Sequence, residues 1–122
     1  MSGLNISKKV RASTVAGLGL LCANIAQADT ALTAGVILEK MSAEDRFTYY
    51  TGIIHGLAYA RFRKDSIAND NQKDQRGMQC IENWFFDSGA ESALLIDSAL
   101  KKYPEYTVVV ILNAMVKKRC GE

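Results

Sequence analysis

The first 28 residues have the three parts of a cleavable export signal, and this feature constrains the fold more than any other. A basic stretch at 8–11 precedes an apolar, uncharged stretch of 14 residues at 12–25. Ala26 and Ala28 then provide the small residues that a signal peptidase reads. The apolar stretch is shorter than the roughly 20 residues of a membrane-spanning helix. We therefore predict export to the periplasm, cleavage after Ala28 and no membrane span.

Removal of this segment would leave residues 29–122, a chain of 94 residues (122 minus 28) that suits one small domain. The segment carries three of the 15 basic residues and none of the 13 acidic ones, so the formal net charge would change from +2 to −1 (12 minus 13). Such a nearly neutral surface gives no electrostatic reason to expect nucleic acid or an anionic membrane as a partner.

Cleavage would also remove Cys22 and leave the pair Cys80 and Cys120. An even pair in an exported protein predicts a disulfide bond. The loop that this bond closes has about 40 residues, for which chain entropy gives roughly 4 kcal/mol of stabilisation. The chain has one histidine and no CxxC motif, which disfavours a metal site. We expect a structural disulfide, with no metal and no cofactor.

The longest predicted helix runs from Ser42 to about Arg63, with the Ser42 side chain capping its first turn. Apolar residues recur along it at helical spacing, namely Phe47, Tyr50, Ile54, Leu57 and Ala58. A second stripe of small residues contains Gly52, Gly56 and Ala60. Glycine destabilises a helix interior by about 1 kcal/mol, so we expect another backbone to pack closely on this stripe.

A shorter helix is predicted before it, at about 30–40, with Leu32, Val36 and Leu38 directed inward. After the long helix, residues 64–77 are polar and are predicted to form a loop.

The segment from Met78 to Phe86 is the densest apolar cluster of the mature chain. Ser88 and Glu91 have the spacing of a capping box, which predicts a helix that continues to about Tyr103.

The last element contains an unbroken aliphatic run at 108–112, which on propensity alone could be a strand. No second strand is apparent to pair with it, and the basic residues at 117–119 suit a helix C-terminus, so helix is favoured. The sequence thus predicts an all-α domain, a small bundle of about four helices. The disulfide would join the start of the third helix to the end of the fourth.

The sequence contains no pattern of residues that indicates catalytic activity. His55 is the only histidine, and it lies in the middle of the long helix. With both cysteines oxidised, no thiol nucleophile remains. No phosphate-binding glycine loop, HExxH motif or nucleotide fingerprint is present. We therefore expect a protein without enzymatic activity.

Two groups of aromatic residues are candidates for binding a protein partner. Trp84, Phe85 and Phe86 are consecutive, so they cannot all face one core. Either Trp84 and Phe85 fill the core and Phe86 is partly exposed, which is favoured, or the three form an exposed anchor patch. A second candidate surface, suited to a partner or to a homodimer, lies on the long helix and consists of Tyr49, Tyr50, His55 and Tyr59.

The order of several short motifs resembles that of the small exported immunity proteins of the Rap/Tai kind. The motifs are a helix at 50–58 (YTGIIHGLA), the dipeptide Cys80-Ile81, a helix closed by Tyr103-Pro104, and a last helix with Ala114 and Cys120. The resemblance covers most of residues 45–120. Glu82 stands where that family has proline, and Tyr49 stands where it has glycine.

The resemblance implies an all-helical, disulfide-bonded periplasmic fold that is often dimeric and that binds and blocks a secreted peptidoglycan-amidase toxin. Our leading interpretation is a periplasmic, non-enzymatic domain that binds another protein, with an immunity-type inhibitor as its narrower form. The alternatives are an HdeA-like periplasmic stress chaperone and, in another class, a cell-envelope enzyme.

Overall fold

The computed structural model describes residues 32–122, and these residues form five α-helices. The helices are α1 (Ala34–Lys40), α2 (Ala43–Ala68), α3 (Arg76–Asp87), α4 (Ala90–Lys102) and α5 (Val108–Cys120). The all-α prediction is confirmed over this range, and the aliphatic run at 108–112 is helical, as favoured. Four helices have 12 or more residues, and α1 has seven. The predicted signal peptide and its cleavage site lie outside the described residues.

The long helix α2 starts as predicted but ends later. The Ser42 hydroxyl accepts a hydrogen bond from the Asp45 N–H at 3.1 Å, which confirms the N-cap. The helix continues to Ala68, five residues past Arg63, so the connection predicted at 64–77 is limited to 69–75.

Polar contacts hold this last part of α2, which explains why its composition suggested a loop. Arg61 and Asp65 form an ion pair one turn apart, with Nε and Oδ2 separated by 2.7 Å. The Ser66 hydroxyl accepts a hydrogen bond from the Asp74 N–H at 3.0 Å and so fastens the following turn back to the helix. A helix end stabilised in this way lacks the apolar periodicity from which helices are recognised in a sequence.

The core lies where the five helices meet, and Tyr50 and Phe85 are its two largest fully buried side chains. The buried apolar residues are Ala34, Ile37, Tyr50, Ile54, Ala58, Ile81, Phe85, Ile96, Leu100, Val108, Ile111, Leu112 and Val116. Helix α2 packs chiefly against α3, and α1 packs chiefly against α4.

The face of α1 that points inward differs in part from the predicted one. Ala34 and Ile37 are buried and Leu38 packs partly against the core, whereas Leu32 is exposed. The orientation is fixed by two hydrogen bonds to the connection between α4 and α5, because the N–H groups of Ala34 and Gly35 donate to backbone carbonyls there, at 2.8 and 2.9 Å. Gly35 also packs directly on Pro104, where a Cβ would lie 3.3 Å from the proline ring.

The prediction that a backbone packs on the small-residue stripe of α2 is wrong within the described residues. No atom of another element in the part of the chain that the structure describes lies within 4 Å of where a Cβ of Gly52 or Gly56 would be. The close approach between α2 and α3 occurs instead at Gly77 in the first turn of α3. A Cβ there would lie 2.6 Å from Cγ of Arg61, so only glycine fits without displacement of that side chain.

The described residues form five helices because the apolar segment at 78–86 is itself helical, within α3, and a glycine turn follows it. Gly89 separates α3 from α4 with φ +52° and ψ −121°, a conformation that favours glycine. The predicted capping box is absent, because Gly89 and not Ser88 precedes α4 and no side chain caps that helix. The hydroxyl of Ser92 lies 2.7 Å from the carbonyl of Phe85, so it satisfies the end of α3 across the break.

The disulfide between Cys80 and Cys120 is present, with the two Cα atoms 5.8 Å apart. It joins the first half of α3 to the last residue of α5. Arg61 supports the same corner, since its Nη1 donates a hydrogen bond to the carbonyl of Gly121 at 2.9 Å. The prediction of a helical bundle stapled by this one disulfide is therefore confirmed.

Candidate protein-binding groove

The three consecutive aromatic residues are distributed as the favoured interpretation predicted. Phe85 is fully buried and cannot contact a partner, and Trp84 is half-buried against the core. Phe86 is 40% exposed and lies edge-on to Phe85, with ring centroids 4.9 Å apart. Only Phe86 of the three therefore offers a substantial surface to another molecule.

The residues predicted on α2 do not form one continuous aromatic surface, because Tyr50 is fully buried in the core. His55 is exposed, with its ring 5.1 Å from that of Phe86 and its Nδ1 3.6 Å from Oε1 of Glu82. Tyr49 packs partly against the core, and Tyr59 is exposed with its ring 6.3 Å from that of Phe62. The two candidate groups thus converge only at the pair of His55 and Phe86.

A larger apolar surface lies between α4 and α5, where it forms a groove of about 320 Å³. We call it the α4–α5 groove. It is lined by Ala99, Tyr103, Tyr106, Val110, Ile111, Ala114, Met115 and Lys118. Three of its large side chains are well exposed, with Tyr103 at 42%, Tyr106 at 50% and Val110 at 52%.

Helical geometry explains why α5 contributes to this groove. The helix buries Val108, Ile111, Leu112 and Val116, which lie on one face. The consecutive aliphatic residues of 108–112 cannot all share that face, so Val109 and Val110 remain outside. The length of the aliphatic run is the sequence signal for this groove, because a helix with one buried face has to expose some members of five consecutive apolar residues.

The two tyrosines of the groove are held by the turn that connects α4 to α5. Their rings are perpendicular, with an interplanar angle of 86° and centroids 6.2 Å apart. The N–H of Tyr106 donates to the carbonyl of Tyr103 at 3.2 Å, and the carbonyls of Pro104 and Tyr106 accept from α1. Hydrogen bonds within the turn and to α1 therefore fix its conformation in the absence of a partner.

Positive charge borders the α4–α5 groove. Among the described residues, Lys118 is the one charged residue that lines it. Lys102 lies beside it, with Nζ 5.4 Å from the ring centroid of Tyr103. Glu105 is in the tyrosine turn but does not line the groove. Within residues 32–122, neither Lys102 nor Lys118 forms a salt bridge.

A polar cluster links α2 to α4 through side-chain hydrogen bonds and consists of Arg46, Tyr50 and Asp97. Arg46 donates to both carboxylate oxygens of Asp97, at 3.1 and 2.7 Å, and the Tyr50 hydroxyl donates to Oδ1 at 2.6 Å. Burial raises the pKa of Asp97, but the hydrogen bonds from Arg46 and Tyr50 outweigh it, so that its pKa is lowered. Burial and the bond to Asp97 raise the pKa of Tyr50. A carboxylate with a lowered pKa and occupied oxygens is a weak base, which suits a structural role.

A polar cavity of about 540 Å³ lies beside the disulfide, but its charges are paired with one another. Arg61 is bonded to Asp65, and Nη2 of Arg76 lies 2.7 Å from Oδ2 of Asp74. The hydrogen bonds from Arg76 lower the pKa of Asp74 to about 2. A charged ligand would therefore have to displace existing ion pairs, which makes this cavity a weaker candidate than the groove.

Among residues 32–122, no helix is both long enough and apolar enough to cross a bilayer. Comparison of the chain with protein-family models, with curated proteins and with solved structures gave no match, and its function is therefore inferred from the surface just described.

Proposed function

We propose that the chain is an exported, non-enzymatic protein-binding domain whose α4–α5 groove receives the partner. The observation that carries the proposal is the exposure of Tyr103, Tyr106 and Val110 around one concave apolar surface. Exposed aromatic residues at a pocket are the usual anchors of protein interfaces.

The rigidity of the surrounding structure supports the same conclusion. Hydrogen bonds to α1 fix the tyrosine turn, and the disulfide fixes the C-terminal end of α5. A binding surface that is already ordered loses little conformational entropy on association. Apolar side chains that are already exposed on the folded domain favour a preformed binding surface. An HdeA-like chaperone would instead expose its apolar binding surface only after unfolding.

The narrower proposal is an immunity-type inhibitor of a cell-wall-degrading toxin. It rests on the motif order shared with the Rap/Tai proteins, on the predicted export signal and on the disulfide-bonded helical fold. An inhibitor of this kind needs a protein-binding surface and no catalytic group of its own, which agrees with the pattern of side chains in the sequence.

The chain offers a matched pair of substitutions that tests the groove. Val109 and Val110 are neighbours on α5 with nearly equal exposure, 48% and 52%, but only Val110 lines the groove. Val110→Glu should abolish capture of the partner by tagged protein purified from the periplasm. Val109→Glu should leave capture unchanged. Circular dichroism and thermal melting would establish that both variants fold.

Equal capture by the two variants, or loss of capture only in a His55→Ala/Phe86→Ala variant, would contradict the assignment of the groove. The inhibitor function has its own test, in which cells that express the chain are challenged with a periplasmic peptidoglycan amidase. Protection by wild type and Val109→Glu, but not by Val110→Glu, is the expected result.

A further inference from the structure

On the basis of the proposed function, we infer that the α4–α5 groove binds an acidic amphipathic helix of the partner protein. The inference depends on three features of the described residues, which are the length of the groove, its positive border and the absence of acidic side chains from its lining.

The length of the groove matches two turns of a helix. Val110, Ala114 and Lys118 follow one another at intervals of four residues along α5. Eight residues of helix span about 12 Å. An occupying helix that places apolar side chains at positions i, i+4 and i+7 spans about 11 Å. Its anchors would lie over Val110 and Ala114, between the tyrosines at one end and Lys118 at the other.

The positive charge at the border of the groove favours acidic residues on either side of the apolar face of the bound helix. Lys118 and Lys102 carry positive charge at the groove, and neither forms a salt bridge within residues 32–122. Glu105 lies outside the lining. Carboxylates on the polar sides of the occupant would therefore meet two cations and no lining anion, which favours acidic over basic partners.

The same charges disfavour a second copy of the chain as the occupant. A two-fold symmetric dimer places the same patch of both copies face to face. Lys102 and Lys118 of one copy would then face the same two lysines of the other, and like charges that face each other across an interface oppose association.

The test uses two synthetic amphipathic helices of about four turns. They share the same leucine positions and carry either glutamate or lysine on the flanking positions. The acidic peptide should shift the methyl resonances of Val110, Ala114 and Met115 and should bind about tenfold more tightly than the basic peptide at low salt. The variant Lys102→Glu/Lys118→Glu should remove or reverse this preference. The control variant Arg63→Glu/Lys73→Glu, with the same change in net charge at exposed positions away from the groove, should retain it.

Three results would overturn the inference. They are equal or tighter binding of the basic peptide, failure of the acidic peptide to shift the groove resonances, and a dimer of the free protein that Val110→Glu dissociates. The proposed function fails separately, when Val110→Glu captures the partner as well as Val109→Glu does. A partner that depends on Val110 but binds the charge-reversed protein normally would contradict the acidic occupant alone.

Discussion

Removal of the disulfide should cost this domain a large part of its stability. The bond between Cys80 and Cys120 spans 40 positions of the sequence. The chain-entropy relation assigns to a loop of this length about 13 cal/mol/K, or about 4 kcal/mol at 25 °C. A small domain has a net stability of about 5 to 15 kcal/mol, so the expected loss is a substantial fraction of the total.

The perturbation is the double variant Cys80→Ala/Cys120→Ala, measured by urea denaturation and by thermal melting against the oxidised wild type. For a domain of this size, about 4 kcal/mol corresponds to a fall in Tm of roughly 16 to 32 °C. Both cysteines are half-buried, so the loss of packing at the two alanines adds little. Wild type with its disulfide reduced is the matched control, because it lacks the same covalent bond but keeps both cysteine side chains, and it should lose about the same stability.

A difference in unfolding free energy below about 1 kcal/mol between the double variant and wild type would refute this reasoning. It would mean that the packing of α3 against α5 holds the C-terminal corner without the covalent bond. Free thiols on both cysteines in protein isolated from the periplasm would refute the assignment of a structural disulfide directly.

Three further substitutions should separate the roles of individual residues, each read from urea denaturation. Gly56→Ala should raise stability by about 0.5 to 1 kcal/mol, because Gly56 lies inside α2 with open space at its Cβ position, and a loss would contradict that exposure. Gly89→Ala should lower stability by about 1 kcal/mol or more because φ is +52°, and a neutral result would show that the turn relaxes freely. Asp97→Asn should cost about 2 kcal/mol at pH 7, since Arg46 loses its ionic partner in a largely buried position. The pKa of Asp97 is lower when folded than its unfolded value of about 3.9, so its contribution is complete above about pH 4 and is lost as pH falls through the folded pKa. Wild type and Asp97→Asn should therefore converge in stability at strongly acidic pH, and a constant difference would contradict the sign of the shift.

The helical class, the start of α2 and the disulfide could be predicted because each depends on local chemistry. Ser42 is a typical N-cap, and the two cysteines form an even pair in a chain with a predicted export signal. The capping box predicted the start of α4 to within one residue but for the wrong reason, because Gly89 with a positive φ, and not the Ser88 side chain, precedes the helix. A pattern of side chains does not show which backbone conformation the tertiary packing requires.

The groove could not be predicted from the sequence pattern for a related reason. Tyr103 and Tyr106 are far from the predicted aromatic candidates in sequence, and they meet Val110 only because α4 and α5 form a hairpin held by α1. Phe85 appeared as a candidate anchor together with its neighbours, yet its position on α3 places it in the core. Composition shows how many aromatic residues there are, whereas exposure depends on how the helices are arranged.

Photocrosslinking in the periplasm tests the central claim most directly. A photoreactive phenylalanine analogue placed at Val110 should crosslink the chain to one envelope or imported protein, and the same analogue at Val109 should give little of this product. The crosslink should disappear when Tyr106 is also replaced by glutamate, because Tyr106 lines the same groove. Crosslinks of equal yield from both positions, or from neither, would contradict the claim that the α4–α5 groove is the surface that binds a protein partner.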